Sequence, residues 1–485
     1  MSARNAQAPV NCLPPELMSQ IAVYSGYLGR PALAAMCRHW RMALLADFSL
    51  WTTVAWRPEN VADDLENFRG HLDLAGDQPC SITLIFAGES GTELTSQYLR
   101  ELCRPGRRMK SLIINFRDTV PEPPLFSHFT RPLEDLTNIQ IYFHFTATTD
   151  GPWLAVDDML LAGFPVENPF PKLHHLTLYA SDFAPLSCGM QLFRNLRHFQ
   201  MEITNAFWTS ALLLRVFEIC PSLEVLALWG YVELDGAAVQ VPRAVQSLKK
   251  FAFWSYYSRD EVTSDNDMRF PQWIPAILLS GIREISCFYA SKSAPYPAYL
   301  FDNFAAVYLD INYGAEEPWA LGGATLGVRV TDSSGASREA RLANLSDEEL
   351  EMVPVFHLSR MVRTMQFASL TQISSDYHLW SHVLLSGFSF PAVTTIMIRL
   401  PRKPLEPFPN AEPSPGRFGQ LQTLRLTADG VEKLDVKALS LFSLFSELSR
   451  SQATTKLILE CKWPVRLSQD QDTYMLEFLE AIVNI

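Results

Sequence analysis

The sequence predicts an α/β solenoid, in which two or three short amino-terminal helices precede an irregular array of parallel strands with helical or irregular returns. Three observations predict it. The chain has 485 residues, too many for one ordinary domain and enough to bury roughly three-quarters of its extended surface. Residues 13–46 repeat apolar side chains at steps of three and four, the period of a helix face. Beyond residue 105 another pattern, apolar-x-x-apolar-x-apolar, recurs down the rest of the chain.

Composition narrows the function classes. With 48% hydrophobic and 19% charged residues, the chain has the apolar surface needed to offset its ordering entropy. The net charge of -12 repels phosphate backbones, so no nucleic-acid partner is expected. Residues 1–51 run the other way, with Arg4, Arg30, Arg38 and Arg41 against Glu16 and Asp47, which leaves -14 for the remainder. The eight cysteines include no C-x-x-C pair, so buried reduced thiols are expected and no metal or other cofactor. The first residues hold no apolar signal core, and no run reaches the roughly 18 apolar residues of a membrane helix. A soluble intracellular chain, cytoplasmic or nuclear, is expected, with no membrane partner. The sequon at Asn344 is then a coincidence.

The helical segment reads L-P-P-E-L-M-S-Q-I from Leu13. Pro14 and Pro15 suit a first helical turn, and Leu17, Ile21, Tyr24 and Leu28 recur on one face. Gly26 and Gly29 are expected to end that helix and Pro31 to open the next, which carries Leu33, Met36, Cys37, Trp40 and Leu44. About 40 residues can hardly bury so much apolar stripe alone, so some of Leu13, Leu17, Ile21 and Trp40 should face another surface.

The order L-P-x-E-L, Ile21, Leu33, Cys37-Arg38-His39-Trp40-Arg41 and Leu50-Trp51 resembles the F-box motif in its fungal, F-box-like version. The resemblance covers about residues 11–54. It implies a three-helix hook, over residues 11–55, that docks on the Skp-type adaptor of cullin-RING ubiquitin ligases. Its adaptor-binding or hook-core positions would be Leu13, Pro14, Leu17, Ile21, Leu33, Cys37, Trp40, Leu50 and Trp51. Residues 1–10 are then a flexible start, and 56–105 a linking segment whose Ser81–Phe86 forms a first strand.

Residues 106–485 carry the repeats. Their apolar triplets include Met109-Leu112-Ile114, Leu173-Leu176-Leu178, Leu196-Phe199-Met201, Leu223-Leu226-Leu228, Leu248-Phe251-Phe253, Phe304-Val307-Leu309, Val362-Met365-Phe367 and Leu421-Leu424-Leu426. Such a template matches about 30 places by chance in so apolar a chain, so context decides. Nine of twelve triplets carry a further apolar residue three positions earlier, as in FPKLHHLTL, FRNLRHFQM, CPSLEVLAL and FGQLQTLRL. These phrases are similar to leucine-rich repeats, except that the family's Asn position holds residues such as Ser181, Thr204 or Tyr231. Helical returns are expected at Ala211–Ile219, Tyr377–Ser386 and Val436–Leu448, and a closing helix at residues 470–483. An insertion at about 310–360 reads as a hairpin, Thr325–Val330 and Ala336–Leu342 about the turn Asp332–Gly335. Asp347–Glu351 should open a helix, and Pro401–Gly416 is a surface loop.

Chemistry is sparse. No phosphate-cradling glycine motif or H-E-x-x-H string occurs; His378 and His382 lack a third ligand, and His174 and His175 face opposite sides of a strand. No catalytic residue is expected. The repeats offer a surface instead, a concave column in which Tyr179, Trp229, Trp254, Phe288, Tyr308 and Arg399 could hold a target protein, or in which the rings stack on one another. The resemblances together imply a non-catalytic target receptor, working as a monomer within a hetero-complex of Skp-type adaptor, cullin and an unknown target. The alternative is a ligase-independent interaction scaffold whose hook is a cap or binds another partner.

Overall fold

A computed structural model of the chain describes residues 13–58, 63–87, 92–117, 125, 129, 131–144, 169–180, 193–208, 210–232, 247–255, 281–289, 298–301, 304–314, 324–345, 367–377, 379–380, 389–400, 418, 420–428, 434–436, 456–461 and 465–467. The chain is an α/β protein dominated by parallel strands. Its elements fall into two units, Met1–Leu248 and Lys249–Ile485.

The repeated phrase has a simple structural meaning. Its first two apolar residues close a turn: the N–H of Leu173 donates to the Phe170 carbonyl at 3.1 Å, Leu196 to Phe193 at 3.0 Å, Leu223 to Cys220 at 3.2 Å and Val393 to Phe390 at 3.2 Å. Both ends of each turn are buried, so this hinge belongs to the core. The remaining two apolar residues then alternate along a strand and point to the same side.

The amino-terminal unit begins with helices α1 (Pro15–Tyr24), α2 (Gly26–Met36) and α3 (Arg38–Ala46) and a 3-10 turn, Phe48–Trp51. It continues through β1 (Thr53–Trp56), α4 (Asp64–Leu74), β2 (Cys80–Ala87), α5 (Thr92–Leu102), β3 (Met109–Arg117), β4 (Asn138–His144), β5 (His175–Ala180), β6 (His198–Trp208), α6 (Ser210–Ile219) and β7 (Val225–Val232). Strands β1 to β7 pair in chain order and all in parallel. Register aligns the apolar pairs into two rows, Val54-Ile82-Leu112-Ile139-Leu176-Phe199-Leu226 and Leu84-Ile114-Ile141-Leu178-Met201-Leu228. Every member is buried, each contributing about 1.5–3 kcal/mol where the side chain is a full Leu, Ile, Met or Phe.

Residues 56–105 are not a linker. Helix α4 buries Phe68 and Leu72, α5 buries Thr95, Tyr98, Leu99 and Leu102, and together with β1 they build two strand-helix-strand crossovers. Their apolar stripes are sparse and diluted by charges, which hides the helical period in the sequence. Helix α6 matches the expected return, burying Leu213, Val216, Phe217 and, just past its end, Cys220.

The carboxy-terminal unit contains β8 (Lys250–Ser255), β9 (Glu284–Tyr289), β10 (Ala306–Gly314), β11 (Ala324–Asp332), β12 (Ser337–Leu345), β13 (Gln372–Asp376), β14 (Thr395–Arg399), β15 (Thr423–Ala428), β16 (Leu434–Val436), β17 (Lys456–Cys461) and β18 (Val465–Leu467). Its main sheet runs β8-β9-β12-β11-β10-β13-β14-β15-β17, with β16 and β18 forming a separate parallel pair. The expected hairpin is present as β11 and β12. It does not leave the sheet as a surface insertion: β12 pairs in parallel with β9, and β10 with β13, so it stands between two repeats. Its turn is fixed by Asp332, whose Oδ1 accepts from the backbone N–H of Ser334 at 2.8 Å and of Ala336 at 2.9 Å, with Gly335 at φ 82.

Two strand expectations are corrected. Residues 362–366 lie outside the described residues, Phe367–Ser369 is a 3-10 turn, and the strand is β13. Phe367, Leu370, Ile373 and Ser375 carry the phrase, but the serine in the last place hid it. In β10 the buried pair is Leu309 and Ile311, two residues later than expected, because the register with β11 slips between Ala306 and Tyr308. The expected helix at Val436–Leu448 begins in a strand, as Val436 closes β16; its other residues lie outside the described residues. Among the expected return Tyr377–Ser386, the described Tyr377, Leu379 and Trp380 are helical and buried. The helices at 347–351 and 470–483 and the loop at 401–416 lie outside the described residues, as do residues 1–12.

Candidate functional site: an apolar helix face and two sheet faces

The three short helices close a small core of their own. Met18, Ala22, Trp40, Leu44, Leu50 and Trp51 are all at most 3% exposed. Pro14 starts α1 in extended conformation, and its carbonyl accepts from the N–H of Leu17 at 3.0 Å. The Trp51 indole N–H donates to the Leu44 carbonyl at 3.0 Å, which lets the ring be buried without an orphaned donor. The Arg30 guanidinium donates to the Leu50 carbonyl and, at 3.4 Å, to that of Ala22, tying α1 to the 3-10 turn.

Helix boundaries differ from those read in the sequence. Helix α1 stops at Tyr24, and Gly29 and Pro31 lie inside α2. A Cβ on Gly29 would come within 2.7 Å of the Ser25 Cβ, so the glycine permits the close approach at the junction, while Pro31 removes one bond near the helix start.

Helix α1 therefore has two apolar stripes. The inward one is Met18 and Ala22; the outward one is Leu17 (44% exposed), Ile21 (40%) and Tyr24 (91%). Pro14, Leu17 and Ile21 are exposed, while Leu13, Leu33 and Cys37 are half-buried. Trp40, Leu50 and Trp51 are sealed and hold the three helices and the 3-10 turn together, so they are core and not a contact surface. The sequence pattern could not separate the stripes, because apolar residues at neighbouring helix angles satisfy the same spacing.

The sheet face opposite the apolar rows differs between the units. In the amino-terminal unit Tyr142 and Tyr179 stack with centroids 4.8 Å apart, and Tyr179 meets Trp229 at 5.5 Å. Burial pushes the Tyr179 hydroxyl up to about 12, and the neighbouring Tyr142 and the Glu202 carboxylate add to the shift. The Trp229 carbonyl accepts from the Trp208 indole at 3.0 Å. The rings stack on one another.

In the carboxy-terminal unit Trp254 and Phe288 lie parallel, 4.7 Å apart, and the Arg341 guanidinium covers Phe288 at 5.3 Å. Arg341 also donates to Glu339 at 2.7 Å. Burial raises the Glu339 carboxyl despite the nearby Arg329 charge and the Ser286 hydroxyl, which lower it. Further along, Arg399 bridges three strands, donating to Asp376 at 2.5 Å, Asp310 at 2.6 Å, the Ser374 hydroxyl at 2.7 Å and the Ile311 carbonyl at 2.7 Å. A Cβ on Gly327 would crowd the Asn312 amide, so a larger residue there needs that side chain to turn aside.

Tyr308 stands level with Gln372, one row behind its expected place, because of the slip in β10; burial raises its hydroxyl, which also bonds Ser374. Trp229 and Trp254 belong to different units. Arg329, Glu339 and Arg341 were missed, because Ser337–Arg341 carries Glu339 and Arg341 on one face and Arg338 on the other, which blurs the alternation. On these faces the His175 imidazole lies 3.2 Å from the Thr177 hydroxyl, and the Ser286 hydroxyl donates to Glu339 at 3.5 Å, so each face is a hydrogen-bonded surface. No protein-family model matches the chain, and a comparison with curated proteins found no match.

Proposed function

We propose that the chain is the target-recognition subunit of a Skp, cullin, F-box-type ubiquitin ligase. In this reading residues 11–55 form an F-box hook that binds the Skp-type adaptor, and the strands form a leucine-rich-repeat-like solenoid that holds a target protein. The chain performs no bond chemistry; it raises the local concentration of a target near the ligase's ubiquitin-charged partner. The observation that carries the reading is the outward row Leu17, Ile21 and Tyr24, left exposed by a helical segment whose own core closes without it. The charged and aromatic face around Arg399, Arg341, Phe288 and Trp254 supports the target-binding part, because Arg and aromatic side chains anchor interfaces.

Co-purification with a Skp-type adaptor tests it. The wild-type chain is expected to retain the adaptor, and Leu17→Asp with Ile21→Asp to lose it by tenfold or more with an unchanged circular dichroism spectrum. A wild-type chain that retains no adaptor removes the ligase reading. One observation favours a second reading, in which the hook is a cap on an interaction scaffold: Trp51 packs edge-on against His71 of α4, centroids 6.3 Å apart. Deletion of residues 1–55 separates the two, since a cap is expected to take the unit's stability with it.

A further inference from the structure

The strand starts of the amino-terminal unit carry a charge opposite to that of the whole chain. The turns leading into β3–β7, residues 103–110, 131–137, 171–174, 194–197 and 221–224, hold eight Arg and Lys against three carboxylates, in a chain of net charge -12; of the eight, Arg104 and Arg107 pair with Glu101 and Asp73 outside these turns, and Arg197 lies 3.7 Å from Glu224. Backbone pairing aligns one residue from each turn into a row that includes Lys110 and Arg197. The N–H of Thr137 donates to the Lys110 carbonyl, those of His174 to Thr137, Arg197 to His174 and Glu224 to Arg197, at 2.8–3.2 Å. Lys110, His174 and Arg197 are exposed along this row. In the neighbouring row Asp135 lies between two cations, 2.7 Å from Arg108 and 3.4 Å from Lys172.

We infer that this rim is a docking surface for an extended, acidic polypeptide segment. Strands about 4.8 Å apart place Lys110 and Glu224 about 19 Å from each other across four intervals, a length that about six residues of extended chain span. Charge complementarity selects the occupant. A run of regularly spaced phosphates would meet Asp135 and Glu224 as well as the cations, and would feel the negative field of the remaining chain. A peptide can set neutral residues against those two carboxylates and its own carboxylates against Lys110 and the outer edges of Arg108, Lys172 and Arg197, which is 64% exposed beside Glu224. The inference is independent of the ligase reading, because it uses no residue of the helical hook.

The test is fluorescence anisotropy of the full chain with a labelled twelve-residue peptide of alternating Glu and Ser, in 20 mM and 150 mM salt. Binding that weakens with salt is expected, and Lys110→Glu with Arg197→Glu is expected to lower affinity about tenfold, since both side chains are exposed and their exchange spares the core. Asp135→Asn is expected to act in the opposite sense, raising affinity by releasing Arg108 and Lys172. The proposal is overturned if the double variant binds as well as wild type, if Asp135→Asn fails to tighten binding, or if a single-stranded DNA of matched length binds more tightly than the peptide. Loss of adaptor capture in the hook variants leaves all of these outcomes unchanged, so the two readings fail separately.

Discussion

The two units use the same turn phrase but solve the next problem differently. In the amino-terminal unit each strand pairs with its successor, and both core rows are apolar throughout. In the carboxy-terminal unit the hairpin β11-β12 enters between β9 and β10 and brings a charged residue into the core row, so that Arg338 stands level with Ile285 and is 4% exposed. Its guanidinium lies over Phe304 at 5.0 Å and donates to the Ser337 carbonyl at 2.9 Å. Burial holds it down at about 10 against the opposing Asp332 charge. The repeat phrase thus secures the position of a strand, whereas an inserted hairpin can substitute its own side chains in the same rows at an electrostatic cost.

That contrast can be broken by substitution. The largest effect is expected at Phe199, wholly buried in an all-apolar row: Phe199→Ala should cost about 3–5 kcal/mol in denaturant unfolding. An intermediate loss is expected at Arg399. Its side chain is 31% exposed, so Arg399→Ala should cost about 1–3 kcal/mol by leaving Asp310 and Asp376 facing each other without their cation. Arg338→Met sharpens the comparison most, because it should be neutral or stabilising by about 1 kcal/mol, whereas a charge removed from a well-paired site would destabilise. A clear loss of stability in that variant would show that the arginine is required by the hairpin.

The smallest effect is a pH dependence. Burial, with the adjacent His198 and His174 charges, holds the His175 imidazole below its ordinary 6.5. The unfolded chain therefore takes up a proton that the folded one resists, so stability is full above about pH 6.5 and declines as pH falls below it. His175→Gln should flatten the decline in thermal unfolding between pH 7 and 5; an unchanged slope would assign the proton elsewhere.

Much of the strand arrangement was legible in the sequence. The rows Leu176-Phe199-Leu226 and Leu178-Met201-Leu228 follow from the phrase itself, since a period of two with a fixed turn leaves one register that buries every apolar residue. The hairpin was legible from Asp332 and Gly335. Helices α4 and α5 were not, because their stripes are short and diluted by charge. The candidate sites were only partly readable: Leu17 and Ile21 are outward as expected, but Trp40 and Trp51 differ from them only by where the neighbouring helices fall.

Sequence alone determined the local units, because turn closure and apolar alternation depend on residues within about ten positions of one another. Tertiary structure alone decided which stripe of α1 faces outward, that the hairpin enters the sheet, and that Arg399 gathers Asp310 and Asp376 from residues 89 and 23 positions away. Those outcomes depend on packing between distant elements, and no short-range pattern encodes the partner that a side chain meets across a sheet.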